Sequence, residues 1–218
     1  MRWGFGRTRY SIAPGLYAIG TPSGDSPVLV TANYKMTFDI LRRDMYGHDV
    51  WILVIDTKGI NVWCAAGKGT FSTDEIVRQV ERAKLQDLVN HRTLILPQLG
   101  APGVAAHEVA KACGFKVLYG PVRSSDLPEF IDKGNKASPQ MRRVTFGLVD
   151  RLVLTPVELV HMWKHILYSI VALFLVGGIG PEIFSLSAAW SRGGAAVATG
   201  IMALLTGAVI TPILLPWV

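Results

Sequence analysis

Cysteine is scarce in this chain, and the scarcity excludes several kinds of protein at once. The 218 residues hold two, Cys64 and Cys113, with no C-x-x-C pair and no metal-finger spacing. That rules out a disulfide-dense secreted scaffold and makes a reducing compartment the expectation. Two thiols are also too few to hold an iron–sulfur cluster from this chain alone. Residues 1–10 are basic but lack the apolar stretch of a secretory signal. Zinc-finger spacing, an aromatic RNA-binding motif and a long Lys/Arg run are all missing, so the net charge of +6 does not point to nucleic acid. Charge itself is missing from the far end. Between residues 166 and 218 only Glu182 and Arg192 are charged, so the basic excess lies in 1–165. Half of all residues are apolar and the mean hydropathy is +0.34, high for a soluble protein.

What is present reads as strands alternating with helices. Residues 1–27 are rich in Gly, Pro and Ser and are expected to form an irregular lead-in. Val28–Ala32 is a short buried-type strand. A helix is expected over 37–46, because Phe38, Leu41 and Met45 fall on one helical face and Gly47 ends it. Val50–Ile55 is apolar throughout, as suits a strand covered on both faces. Ser72-Thr73-Asp74-Glu75 reads as a capping box, with Phe71 and Ile76 as its hydrophobic staple. The helix it opens is expected to run to about Asn90, with Ile76, Val77, Val80 and Ala83 on its apolar face. Residues 93–97 form a third strand, 99–103 a loop opening a helix over 104–113 that Gly114 stops, and Lys116–Tyr119 a fourth strand broken by Gly120-Pro121. A short helix lies around 127–133, and Leu152-Val153-Leu154 reads as a fifth strand. This alternation predicts an α/β domain over 28–155 with a Rossmann-like, mainly parallel sheet flanked by helices.

The far end reads as membrane. Residues 195–218 carry no charge, and a spanning helix needs roughly 20 apolar residues. After a juxtamembrane segment at 156–165, transmembrane helices are expected at about 166–184 and 195–216. Arg142, Arg143, Arg151 and Lys164 precede the first, whereas the connection holds only Arg192, so the positive-inside rule places 1–165 on the cytoplasmic side of the inner membrane. The sequence stops at Pro216-Trp217-Val218 directly after an apolar run, which reads as a truncated sequence.

In parallel sheets ligands bind past the carboxyl ends of the strands. The segments there are 31–33, 61–69, 100–103 and 120–123. The richest is Asn61-Val62-Trp63-Cys64-Ala65-Ala66-Gly67-Lys68-Gly69, expected as a loop that presses a thiol against a large flat ligand. It is not a phosphate loop. That motif requires Gly at 62, where Val stands, and Ser or Thr at 69, where Gly stands. Lys68 remains available to an anionic group. His48, His91 and His107 are possible partners for a nucleophilic Cys64, but sequence ties none of them to it. A lone cysteine also serves as a small buried apolar residue. Packing is the favoured reading for Cys113, near the end of its amphipathic helix.

The block N-V-W-C-A-A-G-K at 61–68 resembles the signature of the corrinoid protein of microbial mercury methylation, the HgcA family. The resemblance extends through VLVTANYKMTFD at 28–39, WILVIDTKG at 51–59, LPQLGAPG at 96–103 and GFKVLYGPVR at 114–123, nearly continuously to 155. The same stretch is similar to the corrinoid-binding domain of the corrinoid iron–sulfur protein of acetyl-CoA synthesis. The resemblance implies a corrinoid (cobalamin or a related cobamide) with Cys64 as lower axial cobalt ligand, and methyl transfer to Hg(II) giving methylmercury. Asn61, Val62, Trp63, Ala65 and Ala66 would shape the cap around the cysteine, Gly67 and Gly69 would allow a tight backbone, and Lys68 would complete the block. Thr31 would face the corrin ring, and Gly100, Gly103 and Gly120 would receive the nucleotide tail. The Asp-x-His-x-x-Gly signature usual in corrinoid proteins is absent. The resemblance further implies a separate ferredoxin-like partner with two [4Fe–4S] clusters and a methyl donor linked to tetrahydrofolate. Two other readings stand beside it: a corrinoid methyl carrier of one-carbon metabolism, and a non-catalytic cobamide-binding membrane subunit.

Overall fold

The computed structural model describes residues 10–181 and 183–217. They divide into two compact units, one ending at Val144 and the other beginning at Thr145.

The first unit is built on a five-stranded sheet. Its strands are β1 (Gly15–Ile19), β2 (Val28–Ala32), β3 (Val50–Ile55), β4 (Thr93–Leu96) and β5 (Lys116–Tyr119), in the spatial order β1-β3-β2-β4-β5. β2 to β5 are mutually parallel, and β1 runs antiparallel on the β3 edge. Side chains of a strand alternate between faces, and the core divides accordingly. Val28, Val30, Ala32, Leu53, Ile55, Leu94 and Leu96 join one apolar cluster, whereas Leu29, Ile52, Val54 and Ile95 join the other. The first cluster is closed by α2 (Val62–Gly67), α3 (Thr73–Arg82) and α5 (Ala106–Cys113), the second by α1 (Lys35–Asp44) and α6 (Leu127–Asp132). Burial on both sides explains why β2 and β3 are continuous apolar runs. Fully buried Phe71, Leu94 and Phe130 each contribute about 1.5–3 kcal/mol.

The α/β expectation holds, and the strands at 28–32, 50–55 and 116–119 fall where the sequence places them. Several details differ. The lead-in contains β1, an edge strand only half buried, so it carries no continuous apolar run. Residues 61–67 are not a loop but the short helix α2. The first helix begins at Lys35 and ends at Asp44, and α5 begins at Ala106 rather than 104 because 98–103 is a 3-10 turn. The helix expected to reach Asn90 stops at Arg82. Lys84 takes a left-handed φ of 47° before a separate turn, α4 (Leu85–Leu88). Only half of the capping box forms. Ser72 Oγ accepts from the Glu75 amide, but the Glu75 carboxylate turns to the amide of Asp56 instead.

The second unit contains α7 (Leu148–Gly178), a two-residue hairpin of β6 (Ile179–Gly180) and β7 (Ile183–Phe184), and a helical run Leu186–Trp217. The expected fifth strand at 152–154 is helical, as are 156–165, all within α7. Its apolar triplet is one flank of a helix rather than a strand. The first apolar span ends at Gly178, because Ile179-Gly180 and Ile183-Phe184 pair as the hairpin, and Arg192 donates to the Ile179 carbonyl there. The second starts nine residues before 195, at Leu186. Pro156 leaves the Leu152 carbonyl without its helical N–H, and the Thr155 hydroxyl donates to it at 2.9 Å. The two helices meet at glycine: a Cβ on Gly177 would lie 2.3 Å from Gly193 Cα, so only Gly allows this approach.

Candidate functional site

In an open parallel sheet the ligand crevice lies where the chain winds away in opposite directions from two adjacent strands. Here those strands are β2 and β4. From β2 the chain crosses one face through α1 to β3, and from β3 it returns over the other face through α2 and α3 to β4. A cleft of about 330 Å³ opens at their carboxyl ends. Val30 and Thr31 of β2, Leu96 at the end of β4 and Pro97 after it, and Asn61 and Trp63 at the start of α2 line it, with Pro121 and Val122 beyond β5.

α2 exists because Asn61 caps it. Asn61 has extended backbone (ψ 160°) and its side-chain oxygen accepts from the Cys64 amide at 2.9 Å, satisfying a donor that a helix start leaves free. The helix turns Val62, Ala65 and Ala66 into the core and leaves Trp63, Cys64, Gly67 and Lys68 exposed. Cys64 is a free, exposed thiol, and the space where a Gly67 side chain would sit is open. The exposed face therefore offers a thiol beside a tryptophan that is 68% exposed, with only small groups along the helix after it.

The anticipated residues thus separate. Thr31, Asn61, Val62 and Trp63 line the cleft, and Cys64 follows them on the exposed face. Ala65 and Ala66 face inward and let the 98–103 turn lie close. A Cβ on Gly103 would stand 2.1 Å from the Phe71 carbonyl oxygen and 3.0 Å from Ala66 Cα, and one on Gly100 2.6 Å from the Phe71 ring. Gly120 is closed in by Ile95. Protein neighbours therefore account for all three missing side chains, and the cleft meets Leu99 and Pro121 beside them instead. Cys113 donates its S–H to the Val109 carbonyl at 3.2 Å, and burial pushes its thiol above the ordinary 9.0. Tyr119 donates to the Val104 carbonyl at 2.8 Å and is likewise raised by burial. Among the described residues no group of three or more His, Cys, Asp or Glu is gathered for a metal ion.

Sequence reasoning missed the polar network under this site. Asn33, Asp56, Thr57 and Glu75 join the ends of β2 and β3 to the turn that enters α2. The visible signal was an Asn closing one strand and Asp-Thr-Lys-Gly closing the next.

A two-faced α/β sheet with a cleft at its switch point and an exposed thiol on the adjoining helix defines a domain of doubly wound type. The model of the CdhD family, the CO dehydrogenase/acetyl-CoA synthase delta subunit, matches residues 6–131. The chain belongs to that family. It is similar to acetyl-CoA decarbonylase/synthase complex subunit gamma of Methanopyrus kandleri, at 37% identity over 129 residues covering 58% of this chain and 28% of the relative. The same subunit of Archaeoglobus fulgidus is 33% identical over 129 residues, covering 58% and 27%. That of Methanosarcina acetivorans is 34% identical over 131, covering 58% and 28%. The matched segment spans little more than a quarter of those relatives.

Proposed function

We propose that the α/β unit holds a corrinoid with Cys64 beneath the cobalt and works as a methyl carrier. The carrying observation is the exposed Cys64 thiol on the outward face of α2, next to the switch-point cleft. When bound, the corrinoid supplies the metal centre on which a methyl group rides. The residues suit it. For a cysteine to reach the metal of a broad flat macrocycle its thiol must point outward among small neighbours, and α2 presents Cys64 with Gly67 open beside it. Trp63 offers an aromatic face, and the apolar cleft is free to take an appended group. Thiolate is a soft, strong donor, and the Asn61 cap fixes the helix that carries it. The relatives named as subunits of an acetyl-CoA decarbonylase/synthase complex support one-carbon carriage of the acetyl-CoA type.

A second reading sends the methyl group to Hg(II), and the 61–68 octapeptide favours it. Bound as a ligand to the corrinoid's metal, the Cys64 thiolate would raise electron density there, which would suit delivery of the methyl group to an electrophile. Two helices of mean hydropathy 1.7 and 2.0, with none of their most apolar windows buried, support a membrane-anchored protein in the inner membrane, its α/β unit cytoplasmic. A ferredoxin-like reductant and a folate-linked methyl donor complete this reading.

The test uses the full chain in detergent, titrated with cobalamin and followed by absorption. Binding with a spectrum that changes in Cys64→Ala supports the thiol ligand, and identical affinity and spectrum in that variant overturn it. Single-turnover methyl transfer separates the acceptors. Product with Hg(II) that falls in Cys64→His supports the mercury reading, and transfer only to a nucleophilic acceptor leaves the one-carbon carrier.

A further inference from the structure

The turn that leads into α2 is held by one side chain. Asn33, 4% exposed at the end of β2, accepts three hydrogen bonds on Oδ1: from the Thr57 amide at 3.0 Å, the Thr57 hydroxyl at 2.9 Å and the Gly59 amide at 2.9 Å. Its Nδ2 donates to Asp56 Oδ1 at 3.0 Å. Three donors on one side and a carboxylate on the other fix which way the amide points. Asp56 Oδ1 also accepts from the Lys58 amide at 2.9 Å. The Glu75 carboxylate, 4% exposed, accepts from the Asp56 amide and from Gln79, and pairs with Arg78.

The turn needs such a hold. Lys58 and Gly59 both have positive φ, 57° and 70°, and for lysine that conformation is strained. Fully buried Thr57 passes the constraint on, because its carbonyl accepts from the Ile60 amide at 3.2 Å across the turn. The next residue is Asn61, the cap that holds the Cys64 amide. Hydrogen bonds through the 57–60 turn and the peptide link from Ile60 to the Asn61 cap thus connect the ends of β2 and β3 to the Cys64 amide.

We infer that Asn33, with Asp56 as its partner, is the positioning residue for Cys64: it locks the 57–60 turn and so sets where α2 presents its thiol. This rests on the methyl-carrier reading for its consequence but not for its geometry. An amide is required at 33 because it must accept on one side and donate on the other. Aspartate there fits the same space but sets two carboxylates against each other. Exchanging the pair, Asn33→Asp with Asp56→Asn, restores one amide facing one carboxylate and keeps the acceptor for Thr57 and Gly59, while the Lys58 amide, which shares Asp56 Oδ1 in the wild type, loses its acceptor.

Hydrogen exchange on the full chain in detergent reads this without any corrinoid. Asn33→Asp should speed exchange of the 57–64 amides about tenfold or more, the scale of a lost buried hydrogen bond, while β4 and β5 stay as protected as in wild type. The double variant should recover part of the lost protection at the Thr57, Gly59 and Cys64 amides, with Lys58 excepted because its acceptor is gone. Uniform acceleration through the sheet, or no rescue by the second substitution, overturns the positioning role. Loaded with cobalamin, Asn33→Asp should lose the Cys64-dependent part of the spectrum and the double variant should regain it. If wild type shows no Cys64-dependent spectrum, the methyl-carrier reading falls while the exchange result still decides the clamp.

Discussion

At the scale of single residues, the two cysteines occupy opposite environments. Cys64 is exposed, whereas Cys113 is half buried, bonded to the Val109 carbonyl and raised in pKa by burial. Since the thiolate is the nucleophile, iodoacetamide at neutral pH should modify Cys64 in the folded protein and reach Cys113 only on unfolding. Mass mapping of the alkylated peptides checks this, and equal labelling would contradict it. Gly103 is equally specific. Alanine there meets the Phe71 carbonyl oxygen at 2.1 Å, backbone that cannot rotate away, so Gly103→Ala should cost about 1–3 kcal/mol or more and appear as a lowered Tm. The cysteine and its small neighbours were legible in the sequence. The role of Gly103 was not, because a glycine kept free by packing and one kept free for a ligand look alike until the neighbouring carbonyl is placed.

At the scale of elements, the decisive segment is α2. Its sequence reads as a loop because six residues are too few to show a helical period, yet one Asn61 cap and the inward Ala65 and Ala66 make it a helix. Helix boundaries shifted for similar reasons. Glu75 suits a capping box by spacing alone, but the free amide of Asp56, nineteen residues away, competes for its carboxylate. Long-range partners of this kind are invisible to local pattern, which is also why the Asn33 network went unseen while β2 and β3 did not. The 98–104 turn is tied to β5 by the Tyr119 hydroxyl. Burial holds that hydroxyl above its ordinary 10.0, so the bond contributes fully below pH 10.0 and is lost as pH rises through the raised value. Tyr119→Phe should therefore be less stable than wild type by about 1 kcal/mol at neutral pH, with the gap closing in alkaline denaturant titrations. A gap that is constant or grows with pH would contradict the assignment.

At the scale of the whole molecule, the chain carries two kinds of surface. The first unit buries its apolar residues on both sides of a sheet, as an ordinary water-soluble fold does. The second leaves long apolar helices uncovered, with Thr199, Thr206 and Thr211 hydroxyls turned back onto carbonyls of their own helix, an economy that suits a medium without water. The charge-poor end made this legible from composition alone. The hairpin of β6 and β7 was not, because a span extended to 184 absorbs Gly180-Pro181-Glu182 as its tail, although that stretch carries turn residues and a charge. The expected behaviour is retention in membranes through an alkaline carbonate wash, and release of the full chain would contradict it. On the proposed positive-inside arrangement, an impermeant maleimide should label Cys64 only after the membrane is opened, and labelling of sealed cells would contradict that arrangement.

X-ray absorption at the cobalt edge of the full chain loaded with cobalamin tests the central claim most directly. The account predicts a sulfur neighbour in the first coordination shell of the wild type that disappears in Cys64→Ala. A wild-type shell of nitrogen and oxygen alone would contradict it.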